Sequence, residues 1–262
     1  MKFFPRVNFL VPLVVFGAAW SQTAMAASPP EVTVDVGGTY NGVGAGAGTV
    51  FTSLDTPQSF DSTGVHFTAS GYPLPVMSLE VSNENGTVGT ASSLRATSLF
   101  SYFFEISGPT SSSVPLIFSG AYGAAVSNGN WGTNTIVGYR IANDAARGTF
   151  QCSRDLTSGC GQGTFGGTLA VAANHEYPVY LSLEVQAIAN NIYSTSAAAS
   201  IDPYFYIDPT WAAVNPGYSL TVSGVGNSVP AIPEPETYAM MLAGLGLLGI
   251  AARRRKQKQV AK

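Results

Sequence analysis

The chain has 262 residues, of which 45% are hydrophobic and only 10% charged, so it can bury a sizeable core and lacks the high charge of ordinary disorder. Its formal net charge of −3 is unevenly spread: eight of twelve Lys and Arg residues lie near the two ends, leaving Arg95, Arg140, Arg147 and Arg154 against thirteen acids in the middle, a balance of −9 with no lysine. Such a body repels phosphate backbones, which argues against a nucleic-acid partner.

Residues 1–26, MKFFPRVNFLVPLVVFGAAWSQTAMA, begin with Lys2 and Arg6, run through an apolar stretch from Phe9 to Trp20 and end on Ala24-Met25-Ala26. A positive start, a short apolar run and a small-x-small exit are the parts of a secretory signal peptide, and the run is short of the ~20 residues a spanning helix needs. Cleavage after Ala26 is expected, so the chain is read as exported.

Residues 27–223 are read as one body. Little helical periodicity is sustained there; short β-prone runs recur between Gly, Asn, Pro and Ser clusters. The expected strands are Val32–Val36, Thr49–Leu54, Val65–Ala69, Val76–Val81, Leu99–Ile106, Val114–Ser119, Ile136–Ile141, Gly163–Val171, Val179–Ile188, Ala197–Ile207 and Tyr218–Val222. The clearest alternation puts Val179, Leu181, Leu183 and Val185 on one face. Many short strands with turn-rich joints predict an all-β fold, an antiparallel β-sandwich of jelly-roll-like form, with 224–232 as a linker.

Chemistry is sparse in this body. The stretch GVGAGAG at Gly42–Gly48 lacks the strand, turn, helix and later acid of a dinucleotide fingerprint, and it is read as a flexible loop between strands. No GxSxG elbow, HExxH or P-loop sequence occurs. Only His66 and His175 could supply an imidazole base, and each is read as a strand or turn residue. Glu80, Glu84, Glu105, Glu176 and Glu184 could pair for glycoside cleavage only if two converged in a cleft, roughly 5–10 Å apart. No catalytic residue, metal site or cofactor is assigned. In SIDPYFYIDPTW, two Asp-Pro pairs frame Tyr204–Ile207, read as a strand entered and left through turns. The alternative reading makes Tyr204, Tyr206 and Trp211 a sugar-stacking surface, with Asp202 or Asp208 helping to hold calcium.

Cys152 and Cys160 are the only cysteines, with seven residues, SRDLTSG, between them. In an exported chain they are expected to form a disulfide that clamps a polar loop.

The tail carries the most specific signal. Pro233-Glu234-Pro235 cannot continue a helix; Thr237–Ala252 is a 16-residue apolar run of roughly 24 Å; Arg253, Arg254, Arg255 and Lys256 open a basic tail that reaches residue 262. The run is marginal for an ~30 Å hydrocarbon core, and the basic residues form a membrane stop on the cytoplasmic side. These residues, with the Ala243-Gly244-Leu245-Gly246-Leu247-Leu248-Gly249 run, make 233–258 resemble the PEP-CTERM sorting signal of Gram-negative bacteria. The resemblance implies an exosortase partner, a membrane transpeptidase-like enzyme that cuts near the PEP triplet in hosts that make exopolysaccharide. The helix at 237–252 then anchors the chain to the membrane only transiently.

The sequence thus describes an exported, cell-surface or secreted β-sandwich without catalytic activity, associated with exopolysaccharide or biofilm matrix. A glycan-binding, lectin-like module and an extracellular glycoside hydrolase are the alternatives. Exposed clustered aromatics would favour the first and convergent carboxylates the second.

Overall fold

The computed structural model describes residues 29–40, 43–83, 92–127, 133–153, 160–189 and 194–227. The stretch read as a signal peptide, Glu84, and the sorting motif, apolar run and basic tail lie outside these residues. Among the described residues no helix is long and apolar enough to cross a membrane.

The order of elements is β1 (Glu31–Tyr40), β2 (Val43–Phe51), β3 (Gln58–Ser62), β4 (Val65–Ser70), β5 (Val76–Asn83), β6 (Ser92–Ser107), β7 (Ser113–Ser127), β8 (Asn134–Ile141), β9 (Ala146–Ser153), β10 (Gly161–Ala172), β11 (Glu176–Ala189), β12 (Thr195–Ile207), α1 (Pro209–Val214) and β13 (Ser219–Ser223). They form two antiparallel sheets. One has the order β2-β1-β6-β11-β8-β9, with β13 also on β6; the other has the order β10-β7-β12-β5-β4-β3. The strands from β5 to β12 pair as a long hairpin folded on itself, β5 with β12, β6 with β11, β7 with β10 and β8 with β9, while the chain crosses between sheets.

Period-2 alternation builds the core. Val179, Leu181, Leu183 and Val185 of β11 are all buried, as the sequence predicts, and β11 packs across the core on β5 and β12, where Met77, Leu79, Val81, Ala197, Ala199 and Ile201 are buried too. Rings join the sheets: Phe104 of β6 stacks on Phe205 of β12 at 5.3 Å between centroids. Tyr102 lies beside them, fully buried, and its hydroxyl has no hydrogen-bond partner among the described residues.

Three expectations are corrected. Of the stretch Gly42–Gly48, the described residues Val43–Gly48 are not a loop but the outer part of β2, paired with Asp35–Tyr40 of β1. Its alternation is real but built from small residues: Ala45, Ala47 and Phe51 pack on the core while Gly44, Gly46 and Gly48 face out. Asp202-Pro203 is not a turn either, since both residues lie inside β12. Two strands, β3 and β9, and the short helix α1 were not among the expected elements.

The first four residues of the stretch read as linker are docked on the body. Val225 is buried, Gly226 N–H donates to Gly71 C=O at 2.6 Å, and Asn227 bonds the backbone of Phe205.

Candidate functional site

The outward face of the six-stranded sheet is made of rungs that cross strands. In one, Asp61, His66, Glu80, Ala198 and Ala125 stand side by side on β3, β4, β5, β12 and β7. In the next, Ser59, Thr68, Ser78, Ser200, Gly123 and Gln162 span all six strands. Stub side chains at Ala198, Ser200, Gly123 and Ala125 keep the centre low. The longer His66 and Glu80 form one bank and Gln162 the other, which opens a shallow groove of about 350 Å³.

The groove is polar and locally braced. The Nδ1 of His66 bonds the Asp61 carboxylate at 2.5 Å. This pair is open to water, with side-chain exposures of 53% and 70%, so its charge interaction is well screened. Thr68 and Ser78 hydroxyls bond each other at 2.7 Å. Ser200 Oγ sits only 2.7 Å from where a Cβ on residue 123 would stand, so glycine there is what admits the hydroxyl.

Further along β12, the same outward parity carries Asp202, Tyr204 and Tyr206. The two phenol rings are half-buried, nearly parallel at 15° and 6.2 Å apart. Their strand neighbours are Ser119 and Ile117 of β7. The Asp202 carboxylate accepts the Ala121 N–H at 2.6 Å; burial pushes its pKa up, and that hydrogen bond only partly offsets the rise. Pro203 is tolerated inside the strand for a topological reason. Beyond Ile201 the neighbouring β5 has ended, and Pro203 shares the backbone parity of Phe205, which points to that vacated side.

The sequence candidates separate. Tyr204 and Tyr206 stand together on the outward face, whereas Trp211 turns away, packs against the core and meets Tyr218 edge to face at 4.9 Å. Asp208 caps α1: its carboxylate accepts from the N–H groups of Thr210 and Trp211, and Pro209 takes the first helical position. Among the described residues, no group of three or more His, Cys, Asp and Glu is placed to hold a metal ion. His175 lies in the turn before β11, edge-on to Tyr177.

Of the carboxylates, Glu105 and Glu176 face each other on one rung of β6 and β11, on the outward side of the other sheet, away from the groove. Glu184 is tied to Arg95 at 2.9 Å, and Glu80 lines the groove. Cys152 and Cys160 are joined by a disulfide with Cα atoms 4.6 Å apart, within the reach of such a bond.

What the sequence reading missed is the Asp61–His66–Glu80 rung and Gln162. Its residues come from separate strands, so only the pairing register assembles them; alternation of His66, Thr68 and Ser70 with Val65, Phe67 and Ala69 was the one available signal.

No curated protein matches the chain. Among solved structures, it is similar to TmCBM61, determined in complex with beta-1,4-galactotriose, at 5% identity and a TM-score of 0.25, over 60% of this chain and 91% of that one. It is also similar to the enzymatically active domain of tailspike protein 4 of bacteriophage CBA120, at 14% identity and a TM-score of 0.24, over 58% of this chain and 19% of that one. Likeness this distant transfers neither a ligand nor an activity. The PEP-CTERM protein-sorting motif, in contrast, matches residues 231–256, which include the Pro233-Glu234-Pro235 triplet and the Arg253–Lys256 cluster. The chain is therefore a carrier of the PEP-CTERM protein-sorting motif, which implies export and processing by an exosortase.

Proposed function

We propose that the chain is a non-enzymatic, jelly-roll-like β-sandwich displayed at the cell surface or released into an exopolysaccharide matrix. The sorting motif at residues 231–256 carries this reading. Export begins at the signal peptide, the apolar run at 237–252 holds the precursor in the membrane, and an exosortase removes it. The acidic, lysine-free body is then left outside. Two features support a role without catalysis. The Ser78 hydroxyl is engaged with Thr68 rather than with His66. Glu105 and Glu176 stand on an outward sheet face and do not line the groove.

A second reading, glycan binding, is favoured by the outward placement of Tyr204 and Tyr206, since tyrosines spent on a core would point inward. Fractionation of the native type of host tests the proposal. The exported form should co-sediment with exopolysaccharide, and it should not depolymerise it. Steady release of sugar, abolished by Glu176→Gln or Glu80→Gln in a folded protein, would contradict the non-enzymatic reading.

A further inference from the structure

We infer that the outward side of β12 is a binding track for an uncharged polysaccharide chain, an inference that rests on the matrix reading above and gives it a site. Ala198, Ser200, Asp202, Tyr204 and Tyr206 share one parity of a single strand. At ~3.4 Å per residue they form a line of roughly 27 Å. The groove occupies one end of this line and the tyrosine pair the other.

Shape and chemistry select the ligand. The line is open and several sugar units long, which suits a chain more than a compact small molecule. Sugars present apolar faces and hydroxyl edges. The phenol rings match the faces, while Ser200, Gln162, His66 and Glu80 offer donors and acceptors to the edges. Charge then narrows the class. Arg95, Arg140 and Arg147, the arginines among the described residues, all lie on the outward face of the other sheet, where Arg140 covers Tyr180 at 4.9 Å. Among the described residues the track therefore carries Asp61, Glu80 and Asp202 with no arginine or lysine beside them, and an acidic polymer would be repelled. A peptide strand is a poor fit as well, because strand addition needs an unpaired sheet edge, and β12 is paired with β7 along its length and with β5 up to Ile201, beyond which Asn227 takes the Phe205 backbone.

The test uses the exported protein as the host releases it. The probes are the host's own exopolysaccharide, split by anion exchange into neutral and acidic fractions, each cast into native gels. The neutral fraction should retard the protein, and Tyr204→Ala/Tyr206→Ala should weaken retardation at least about tenfold. Gln162→Ala, at an exposed position, should weaken it independently if the double variant folds poorly. Tyr180→Ala, on the opposite sheet, should leave it unchanged. Retardation by the acidic fraction alone, by neither fraction, or undiminished in both track variants overturns the inference. So does a change of oligomeric state in the track variants in place of lost retardation. If the wild type co-sediments with matrix and the track variants still do, the matrix reading stands and the track fails. Retardation by neutral polymer without co-sedimentation from the host has the reverse meaning.

Discussion

Asn227 completes the hydrogen bonding of Phe205 from outside the sheet: its Oδ1 accepts the Phe205 N–H at 2.8 Å and its Nδ2 donates to the Phe205 C=O at 2.7 Å. Pairing of β5 with β12 ends at Met77 and Ile201, so a side-chain amide stands where the next strand residue would be. Phe205 is buried, and its backbone has little water to fall back on. Asn227→Ala should therefore destabilise the fold by about 1–3 kcal/mol. Asn227→Asp should not rescue it, because a carboxylate would place an acceptor against the Phe205 carbonyl. Chemical denaturation of both variants checks this, and an unchanged midpoint for the alanine variant would show that the bonds contribute nothing.

The disulfide closes a short loop, and its stabilisation in the chain-entropy account is about 2–3 kcal/mol. Reduction, or Cys160→Ser, should lower the denaturation midpoint accordingly without abolishing folding. Cys152 is wholly buried between the sheets, so Cys152→Ser should cost more than the change at exposed Cys160. Equal effects from the two substitutions would count against that asymmetry.

How far the fold was legible depended on side-chain size. Strands such as β11, with Val179, Leu181, Leu183 and Val185, announce themselves by large apolar residues. The outer part of β2 alternates Ala with Gly, so the same period-2 signal looked like a glycine-rich loop. The β8–β9 hairpin escaped for another reason. Its turn holds Ala142, Asn143 and Asp144 at φ of 51°, 54° and 69°, a left-handed path that glycine normally marks and that here has none. The groove was less legible still. His66 lies five residues from Asp61 and fourteen from Glu80 along the chain, yet the register sets the three in one row. The sorting motif was fully legible because it is a contiguous string.

Tyr102 offers a test of the core. Its ring packs on Phe100 and Phe205, but its buried hydroxyl has no partner among the described residues, and burial also pushes its pKa well above the usual phenol value. Tyr102→Phe keeps the ring and removes the stranded oxygen. Stability should be unchanged or raised by about 1 kcal/mol. A loss of stability on thermal denaturation would mean that the hydroxyl finds a partner.

Asp202 makes stability depend on pH. Burial raises its folded pKa above the unfolded value, so its contribution is complete below the unfolded pKa and is lost as pH rises through the folded one. Asp202→Asn retains an oxygen for the Ala121 N–H and cannot ionise. The variant should gain stability relative to the wild type as pH rises through that interval, then hold a constant advantage. Denaturation midpoints of the two proteins across mildly acidic pH measure this, and parallel curves would contradict it.

The central claim is that the body is delivered by its tail. The match at residues 231–256 places Pro233-Glu234-Pro235 before the apolar run at 237–252, with the basic stop at 253–256 behind it. Deleting Arg253–Arg255 should weaken retention of the precursor, because Lys256, Lys258 and Lys262 alone then mark the cytoplasmic side. The most direct measurement is the intact mass of the exported protein from the native type of host, with and without its exosortase. The account predicts a form lacking the apolar run and ARRRKQKQVAK only when the enzyme is present. An exported form that still ends in that sequence while the enzyme is active would contradict it.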